Sequence, residues 1–340
     1  QEVSGEKNMS IKWGIIGMGD IADKVMAPAM QSSENHELVA IMRRDKYKLN
    51  ELAQKYGIEK TYTRVEDILN DADLDAVYIA TPVNAHKNQT IEAAYRGKHI
   101  LCEKPMAMNP QESQEMIDAC NKNNVGLMIC YYQRFNKRHQ KIRELIQEKE
   151  IGRITAVRLT NSGLLPDSDS AWRQQPEVSG GGNIMDVGSH CVDLLRYLFG
   201  DVLSVNALVS TLAFQYEVDD TATMLLELKN SIHAVVSTHW STLIPSPEES
   251  SVLTIYGTEG TIISTPMADK FSKGSLRVLK NNQETVYKYE SSTHVQMLDA
   301  FANGIDNRNH MPISGTDGLL VSKVIAAAYQ SSLDGARVSV

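Results

Sequence analysis

Cysteine is scarce in this chain, with four in 340 residues, at Cys102, Cys120, Cys130 and Cys191. No two form a Cys-x-x-Cys pair and no spacing suggests a disulfide framework, so all four are expected to be reduced and mostly buried. Long apolar runs are missing as well. None approaches the ~18 residues of a membrane span, and residues 1–10 lack the apolar segment of a signal peptide, which makes a cytoplasmic protein the expectation. An excess of positive charge is also absent: 34 Lys and Arg face 42 Asp and Glu, for a net charge of -8. The two signs are interspersed, so no basic stripe suits a phosphate backbone, and nucleic acid is not expected as the main partner. Small anionic ligands remain open. There are no repeats and no low-complexity segment.

What is present is alternation. The chain is longer than one hydrophobic core usually serves, and two domains are expected. Residues 1–8 read as a disordered leader or cloning remnant, with Met9 a start. Residues 11–16 read as a buried strand that runs directly into Gly17-Met18-Gly19-Asp20-Ile21-Ala22 and then a helical segment. This is the G-x-G-x-x-G/A fingerprint in the context it requires. Gly17 permits the tight turn, Gly19 lets a pyrophosphate approach the backbone, and Ala22 allows close helix–strand packing behind a helix N-terminus that faces phosphate. The alternative is a glycine turn in an unrelated α/β unit.

A second strand at 38–42 ends at Arg43-Arg44. Arginine there favours the extra phosphate of NADP, whereas an acid would accept the ribose hydroxyls of NAD. Two guanidiniums suit bidentate bonding to a phosphate, so NADP is preferred. Asp45 keeps NAD open, for a slightly different loop would put that carboxylate on the ribose and leave the arginines to stack on adenine. Helices follow at 46–56 and 65–70, and a strand at 76–80. The next turn, Thr81-Pro82-Val83-Asn84-Ala85-His86, has Asn84 placed to cap the following helix, and His86 either aimed at the ligand or packed in place.

The run from Gly97 to Pro105 ends a short apolar strand in Glu103-Lys104-Pro105. Ligands of parallel sheets sit beyond the carboxyl ends of the strands, which puts Glu103 and Lys104 at the crevice with Gly17, Thr81 and Pro82. The alternative is an ordinary surface ion pair. With a helix at 110–123 and a strand at 125–131, a doubly wound parallel sheet is predicted for residues 9–131.

Residues 132–340 read as an α+β domain for substrate binding and oligomerisation. It has a helix at 137–149, a strand at 154–160, successive strands from 202 to 290 that predict a large, mostly antiparallel sheet, and helices at 295–303 and 316–332. Between them, Gly180-Gly181-Gly182 marks backbone that bends sharply or lies close to something. Asp186 and His190 then share a helix face at i, i+4. A carboxylate one turn from an imidazole can orient it, favour its protonated form and tune it for proton transfer near neutral pH, the alternative being a capping aspartate and a packed histidine. Metal binding by Asp186, His190 and Asp193 is disfavoured, because no second histidine is near in sequence. Trp172-Arg173 either closes over a cofactor or forms a surface cation–aromatic contact.

With these residues assembled, the chain from Met9 to Val340 resembles the glucose-fructose oxidoreductase / inositol dehydrogenase (Gfo/Idh/MocA) family. The resemblance is carried by Gly17 to Ala22, Thr81 to His86, Gly97 to Pro105, Gln133-Arg134-Phe135, Trp172-Arg173, Gly180 to Gly182 with Asp186 and His190, and Tyr256-Gly257-Thr258-Glu259-Gly260. The Trp-Arg and triple-glycine segments look closest to reductases of the 1,5-anhydrofructose kind. The resemblance implies an NAD(P)-dependent oxidoreductase acting on a sugar, keto-sugar or polyol, with Lys104, Asp186 and His190 catalytic. It implies a cofactor held by Gly17, Met18, Gly19, Asp20, Ile21, Arg43, Arg44, Thr81, Pro82, Asn84, His86, Glu103, Lys104, Arg134, Trp172 and Arg173. It also implies a cis Lys104–Pro105 bond and a homodimer or homotetramer assembled through an apolar sheet face, with Val235 and Trp240 as candidates for that face. Two rivals from other classes are a glycosidase using tightly held NAD and a non-catalytic sugar sensor. Arg43-Arg44 disfavours the first, and the presence of Lys104, Asp186 and His190 the second.

Overall fold

In the computed structural model, the described residues are 10–168, 171–243, 246, 250–266, 274–289, 293–307 and 310–340. The expected leader at 1–8 lies outside them. Six parallel strands form the first sheet: β1 (Ile11–Ile16), β2 (His36–Met42), β3 (Lys60–Tyr62), β4 (Ala76–Ile79), β5 (His99–Cys102) and β6 (Leu127–Ile129). Their order is β3-β2-β1-β4-β5-β6. Helices α1 (Ala27–Gln31), α2 (Lys46–Tyr56), α3 (Val65–Leu69), α4 (Val83–Tyr95) and α5 (Pro110–Lys122) connect them. Strands buried on both faces must be apolar throughout, and β4 and the second half of β1 are accordingly buried at every position. Strands are added to one side of β1 up to β3 and to the other side from β4 on, so the crevice beyond the carboxyl ends of β1 and β4 is where a dinucleotide fits this topology.

The helix ends follow local chemistry. Asp45 accepts from the backbone N–H of Tyr47 and Lys48 at the start of α2, and Gly57, at φ 67°, closes it. Asn109 caps α5 through the Glu112 N–H. Asn84, in contrast, is not the cap of α4. Pro82 takes that place with extended backbone, so the helix starts two residues earlier than expected, and the Asn84 amide instead donates to the Glu177 carbonyl at 3.3 Å.

The remaining helices are α6 (Lys137–Gln147), α7 (Pro176–Ser179), α8 (Ser189–Phe199), α9 (Thr293–Asp306) and α10 (Gly315–Asp334). The second sheet has nine strands: β7 (Ile154–Ser162), β8 (Val202–Ser210), β9 (Thr221–Leu228), β10 (Ile232–His239), β11 (Ser251–Gly257), β12 (Gly260–Thr265), β13 (Gly274–Lys280), β14 (Gln283–Tyr289) and β15 (Val338–Ser339). The order is β14-β13-β12-β11-β7-β10-β9-β8-β15, antiparallel except where β7 lies parallel to β10. Period-two alternation assigns the faces. Ile232, Ala234, Val236 and Thr238 of β10 are buried, while Val235 is half-buried among the outward positions with Leu225, at 55% exposure. Trp240 keeps the parity of the buried face. It is 6% exposed and belongs to the inner side, so its expected place on the open apolar face is corrected. No helix among the described residues is long and apolar enough to cross a membrane.

Candidate active site

Three strand ends of the first sheet converge. After β1, the N–H groups of Gly17 and Met18 both donate to the Met42 carbonyl, at 3.1 and 3.2 Å. Gly17 has φ +91°, and a Cβ there would lie 2.8 Å from the Ala80 carbonyl carbon and oxygen. A Cβ on Gly19 would meet nothing within 4 Å. The turn is therefore closed on its sheet side and open on the other, the shape needed for a pyrophosphate to reach backbone N–H groups. Ala22 is fully buried against the sheet. Asp20 is exposed and pairs with Lys24 at 2.8 Å.

At the end of β2, the Arg43 guanidinium bonds the Met18 carbonyl and so lies across the glycine turn. Its buried Nε has no partner. Arg44 is exposed. Asp45 is engaged in capping α2. An open glycine cradle with the Arg43 guanidinium across it and Arg44 next in the chain fits a dinucleotide.

The third strand end brings the charged residues. The Lys104–Pro105 peptide bond is cis. His86 is buried, its ring nitrogens 2.8 Å from the Thr81 carbonyl oxygen and 3.1 Å from that of Pro105. It ties two turns together, and burial lowers its pKa. The packed reading holds over the ligand-facing one: both ring nitrogens face backbone carbonyl oxygens, and the neutral ring donates its single N–H to one of them. Thr81 Oγ1 donates to Gln89 at 2.7 Å, beside Pro82. Glu103 accepts from Tyr78 Oη at 2.6 Å and from the Lys104 N–H at 3.2 Å. Burial raises its pKa, against the pull of those hydrogen bonds and of the Lys104 charge.

Lys104 reaches out of the first sheet to the second half of the chain. Its Nζ donates to Asp186 Oδ1 at 2.5 Å and to the Asp186 carbonyl at 3.1 Å. Arg173 Nε lies 3.4 Å from Asp186 Oδ2, and its guanidinium sits 4.4 Å from the Trp172 ring centroid. Burial pushes the Asp186 carboxyl up, but Lys104 and Arg173 outweigh it and hold the pKa at about 2. The Asp20 carboxyl is held low chiefly by its bond to Lys24, with a lesser pull from the Arg173 charge. Trp172, Arg173 and Asp186 line a small, partly open cleft with Pro105, Met185 and Trp240.

Asp186 lies in a wide π-type turn (Ile184–Gly188) that leads into α8. The glycines before it are needed. Gly180 and Gly181 have φ +76° and +155°, and a Cβ on Gly182 would sit 2.0 Å from the Asp219 carbonyl oxygen. The Asp219 carboxylate accepts from the N–H of Gly182 and Ile184, at 2.9 and 2.8 Å, and from Tyr329 Oη at 2.6 Å. Sequence reading missed Asp219, whose only signal is an acidic pair between two strands.

His190 departs from expectation in its charge. Burial lowers its pKa well below the usual histidine range, Lys104 and His294 lower it further, and Asp186 only partly opposes them. It is neutral at pH 7, not poised as an imidazolium. No hydrogen bond joins it to Asp186 among the described residues, and its Nδ1 is buried without a partner. Tyr131 and Tyr132 present ring edges to it, with centroids 6.1 and 5.3 Å away. Neither tyrosine was foreseen.

Arg134 is the second correction among the expected cofactor ligands. Its guanidinium is committed to Asp193 and Asp317, at 2.5 and 3.0 Å, so Asp193 is an ion-pair partner and is not gathered with Asp186 and His190. Among the described residues no group of three or more His, Cys, Asp or Glu side chains could hold a metal.

Comparison with known proteins gives a concordant picture. The model of an oxidoreductase family with an NAD-binding Rossmann fold matches residues 11–131, and the GFO/IDH/MocA C-terminal domain matches residues 139–263. Oxidoreductase P35 of Formosa agariphila is 30% identical over 322 residues, which is 93% of this chain and 97% of that protein. D-xylose 1-dehydrogenase (NADP(+)) 2 of Haloferax volcanii is 29% identical, covering 96% of this chain and 98% of its own. Among solved structures, the aldose-aldose oxidoreductase of Caulobacter crescentus complexed with glycerol superimposes with a TM-score of 0.90 at 26% identity, over 97% of this chain and all of that one.

Proposed function

The chain belongs to the GFO/IDH/MocA oxidoreductase family, and on that premise we propose that this NAD(P)-dependent oxidoreductase interconverts a secondary carbinol and a carbonyl of a sugar or polyol at the meeting point of Lys104, Asp186 and His190. The observation that carries the reading is the 2.5 Å Lys104–Asp186 contact, which brings a side chain from the carboxyl end of β5 to the helix that bears His190. When bound, a nicotinamide would supply or accept the hydride. His190, neutral at physiological pH, accepts the carbinol proton as the hydride leaves and returns it in the reverse direction. The Lys104 ammonium, aimed at the same place, stabilises charge on the substrate oxygen. Asp186 holds that ammonium in place and offers a hydrogen-bond acceptor to a neighbouring hydroxyl. Gly17, Met18, Gly19, Asp20 and Ile21 form the phosphate turn. Thr81, Pro82 and Glu103 border the nicotinamide end, Asn84 fastens α4 to α7, and Trp172 and Arg173 cover the cofactor from the second domain.

The finer assignments are also ours. NADP is preferred, because Asp45 is taken up by capping while Arg43 and Arg44 remain beside the ribose position; the Haloferax relative's name, which specifies NADP, agrees. Relatives named for aldoses support a sugar substrate, and the Trp172-Arg173 and triple-glycine segments favour a keto-sugar of the 1,5-anhydrofructose kind. We divide the chain into residues 9–131 and 132–340, place it in the cytoplasm on its four free cysteines, and expect a homodimer or homotetramer through the outer sheet face around Leu208 and Leu225, 72% and 55% exposed. The test is a panel of aldoses and polyols with NADP and NAD, and of keto-sugars including 1,5-anhydrofructose with NADPH and NADH, followed at the reduced cofactor's absorbance. Turnover that vanishes in His190→Ala while NADPH binding persists supports these roles. Cofactor absorbance that survives gel filtration without turnover of the panel would favour the glycosidase.

A further inference from the structure

The last strand of the first sheet, β6, runs into a short turn (Tyr132–Phe135) that touches α8 in two places. One contact is ionic. Arg134 Nε lies 3.1 Å from each Asp193 oxygen and Nη2 lies 2.5 Å from Oδ1. Asp193 has no exposed surface, so this is a desolvated, bidentate, charge-assisted pair, the most directional kind of ion pair available to a protein. The other contact is aromatic. Tyr131 and Tyr132 present their edges to the His190 ring at interplanar angles of 80° and 71°, the geometry aromatic pairs prefer. Tyr132 in turn stacks on His294 of α9, with centroids 4.8 Å apart. Asp193 and His190 are three residues apart on α8, hence neighbours on one helix face. The turn is anchored from behind as well, because Arg134 Nη2 also meets Asp317 at 3.0 Å, the residue that completes the capping box of α10 with Ser314.

We propose that Arg134 is a positioning residue. By clamping Asp193 it fixes α8 against the 131–134 turn, so that Tyr131 and Tyr132 hold the His190 imidazole in the single orientation that meets the substrate oxygen. This rests on the proton-transfer role assigned to His190 above. An ion pair whose service is stability alone can be exchanged for apolar side chains of similar size without loss. A clamp that sets the geometry of a ring cannot, since small displacements of a catalytic group lower turnover far more than binding.

The test compares Arg134→Met/Asp193→Leu, Arg134→Lys and His190→Ala with the unaltered enzyme. The double substitution removes both charges and leaves no orphan: Asp317 keeps Ser314 and has Arg196 at 3.6 Å. Each protein is assayed for its thermal midpoint, NADPH affinity by fluorescence, kcat and KM with the best substrate of the panel, and the histidine ring signals in a ¹H–¹³C spectrum, that of His190 assigned from its loss in His190→Ala. The expected result is a folded double variant with NADPH affinity and KM within about threefold of the original, kcat lower by about tenfold or more, and a shifted or split His190 signal. Arg134→Lys, which keeps the charge but loses the fork, should fall between and serves should the double variant fail to fold. A folded variant of either kind with kcat within twofold and an unmoved His190 signal overturns the positioning role while leaving that of His190 intact. Turnover retained in His190→Ala overturns both.

Discussion

Two glycines of one turn should answer the same substitution in opposite ways. At Gly17 an alanine meets a backbone φ of +91° and places its methyl 2.8 Å from the Ala80 carbonyl group. That carbonyl belongs to a segment that cannot retreat, because the Ala80 N–H is itself bonded to Ile16 at 2.8 Å. The left-handed backbone costs roughly 1–2 kcal/mol, and forcing extra volume into a packed place costs roughly 1–3 kcal/mol more. Gly17→Ala should therefore lose about 2–5 kcal/mol, which lowers the thermal midpoint by roughly 2–4 °C per kcal/mol in a domain of this size. At Gly19 neither cost arises. A methyl there finds nothing within 4 Å, so Gly19→Ala should melt within about 1 °C of the original. Its effect should appear only with cofactor, because the methyl occupies the path by which the pyrophosphate reaches the backbone. A tenfold loss of affinity is about 1.4 kcal/mol. At cofactor one hundred times the original Kd, ligand stabilisation would drop from about 2.7 to about 1.4 kcal/mol. Thermal unfolding with and without NADPH, and a fluorescence titration, read both quantities. A Gly19→Ala protein with the full cofactor-induced shift would refute the placement of the phosphates, and an unchanged midpoint in Gly17→Ala would refute the steric reasoning.

Other perturbations have equally definite directions. Arg44→Ala should raise KM for NADPH by roughly 10-fold or more, the scale of one charge-assisted bond, and leave KM for NADH unchanged; an equal effect on both would remove the phosphate from this place. His86 and His139 are buried with lowered pKa values, that of His139 to about 3. The unfolded chain therefore takes up their protons first, so their contribution to stability is complete above about pH 6.5 and falls by roughly 1.4 kcal/mol per pH unit for each as the pH drops toward their folded values; urea midpoints between pH 7 and 5.5 should show this, with a shallower slope in His139→Asn. In the pH profile of kcat/KM, Lys104→Met should move the acid limb upward and Asp186→Asn should move it downward, because the first removes an influence that lowers the His190 pKa and the second one that raises it. Displacement of both limbs in the same direction would show that the limb does not report His190.

Local signals account for what could be foreseen in the fold. The helix at Lys46–Tyr56 begins at an aspartate cap and ends at a left-handed glycine, and both ends stand where the residues place them. Strand β3 went unread because three half-buried residues, Lys60 to Tyr62, are too few for a period to show. Strand β6 is shorter than the apolar run that suggested it, since Val125 is held by the Cys120 carbonyl in the helix end before it and Tyr131 turns back on Ile129. The parallel pairing of β7 with β10 has no local signature at all. It depends on how some seventy intervening residues pack, which is a property of the whole domain.

The site was legible wherever a residue's neighbour in sequence is also its neighbour in space, and misread where the fold supplies the partner. Asp186 and His190 stand one turn apart, and from that spacing the carboxylate should charge the imidazole. In the folded chain the carboxylate is engaged by Lys104, 82 positions earlier, and by Arg173. Burial lowers the His190 pKa first, the Lys104 charge lowers it further, and Asp186 opposes them without prevailing. The same substitution of partners explains Arg134, whose motif lies beside the cofactor domain in sequence but whose charge is consumed by Asp193 and Asp317. A neutral imidazole is the form that can accept a proton from a carbinol without first losing one, so in the mechanism we propose the long-range lysine would both polarise the oxygen and keep the base ready to receive its proton.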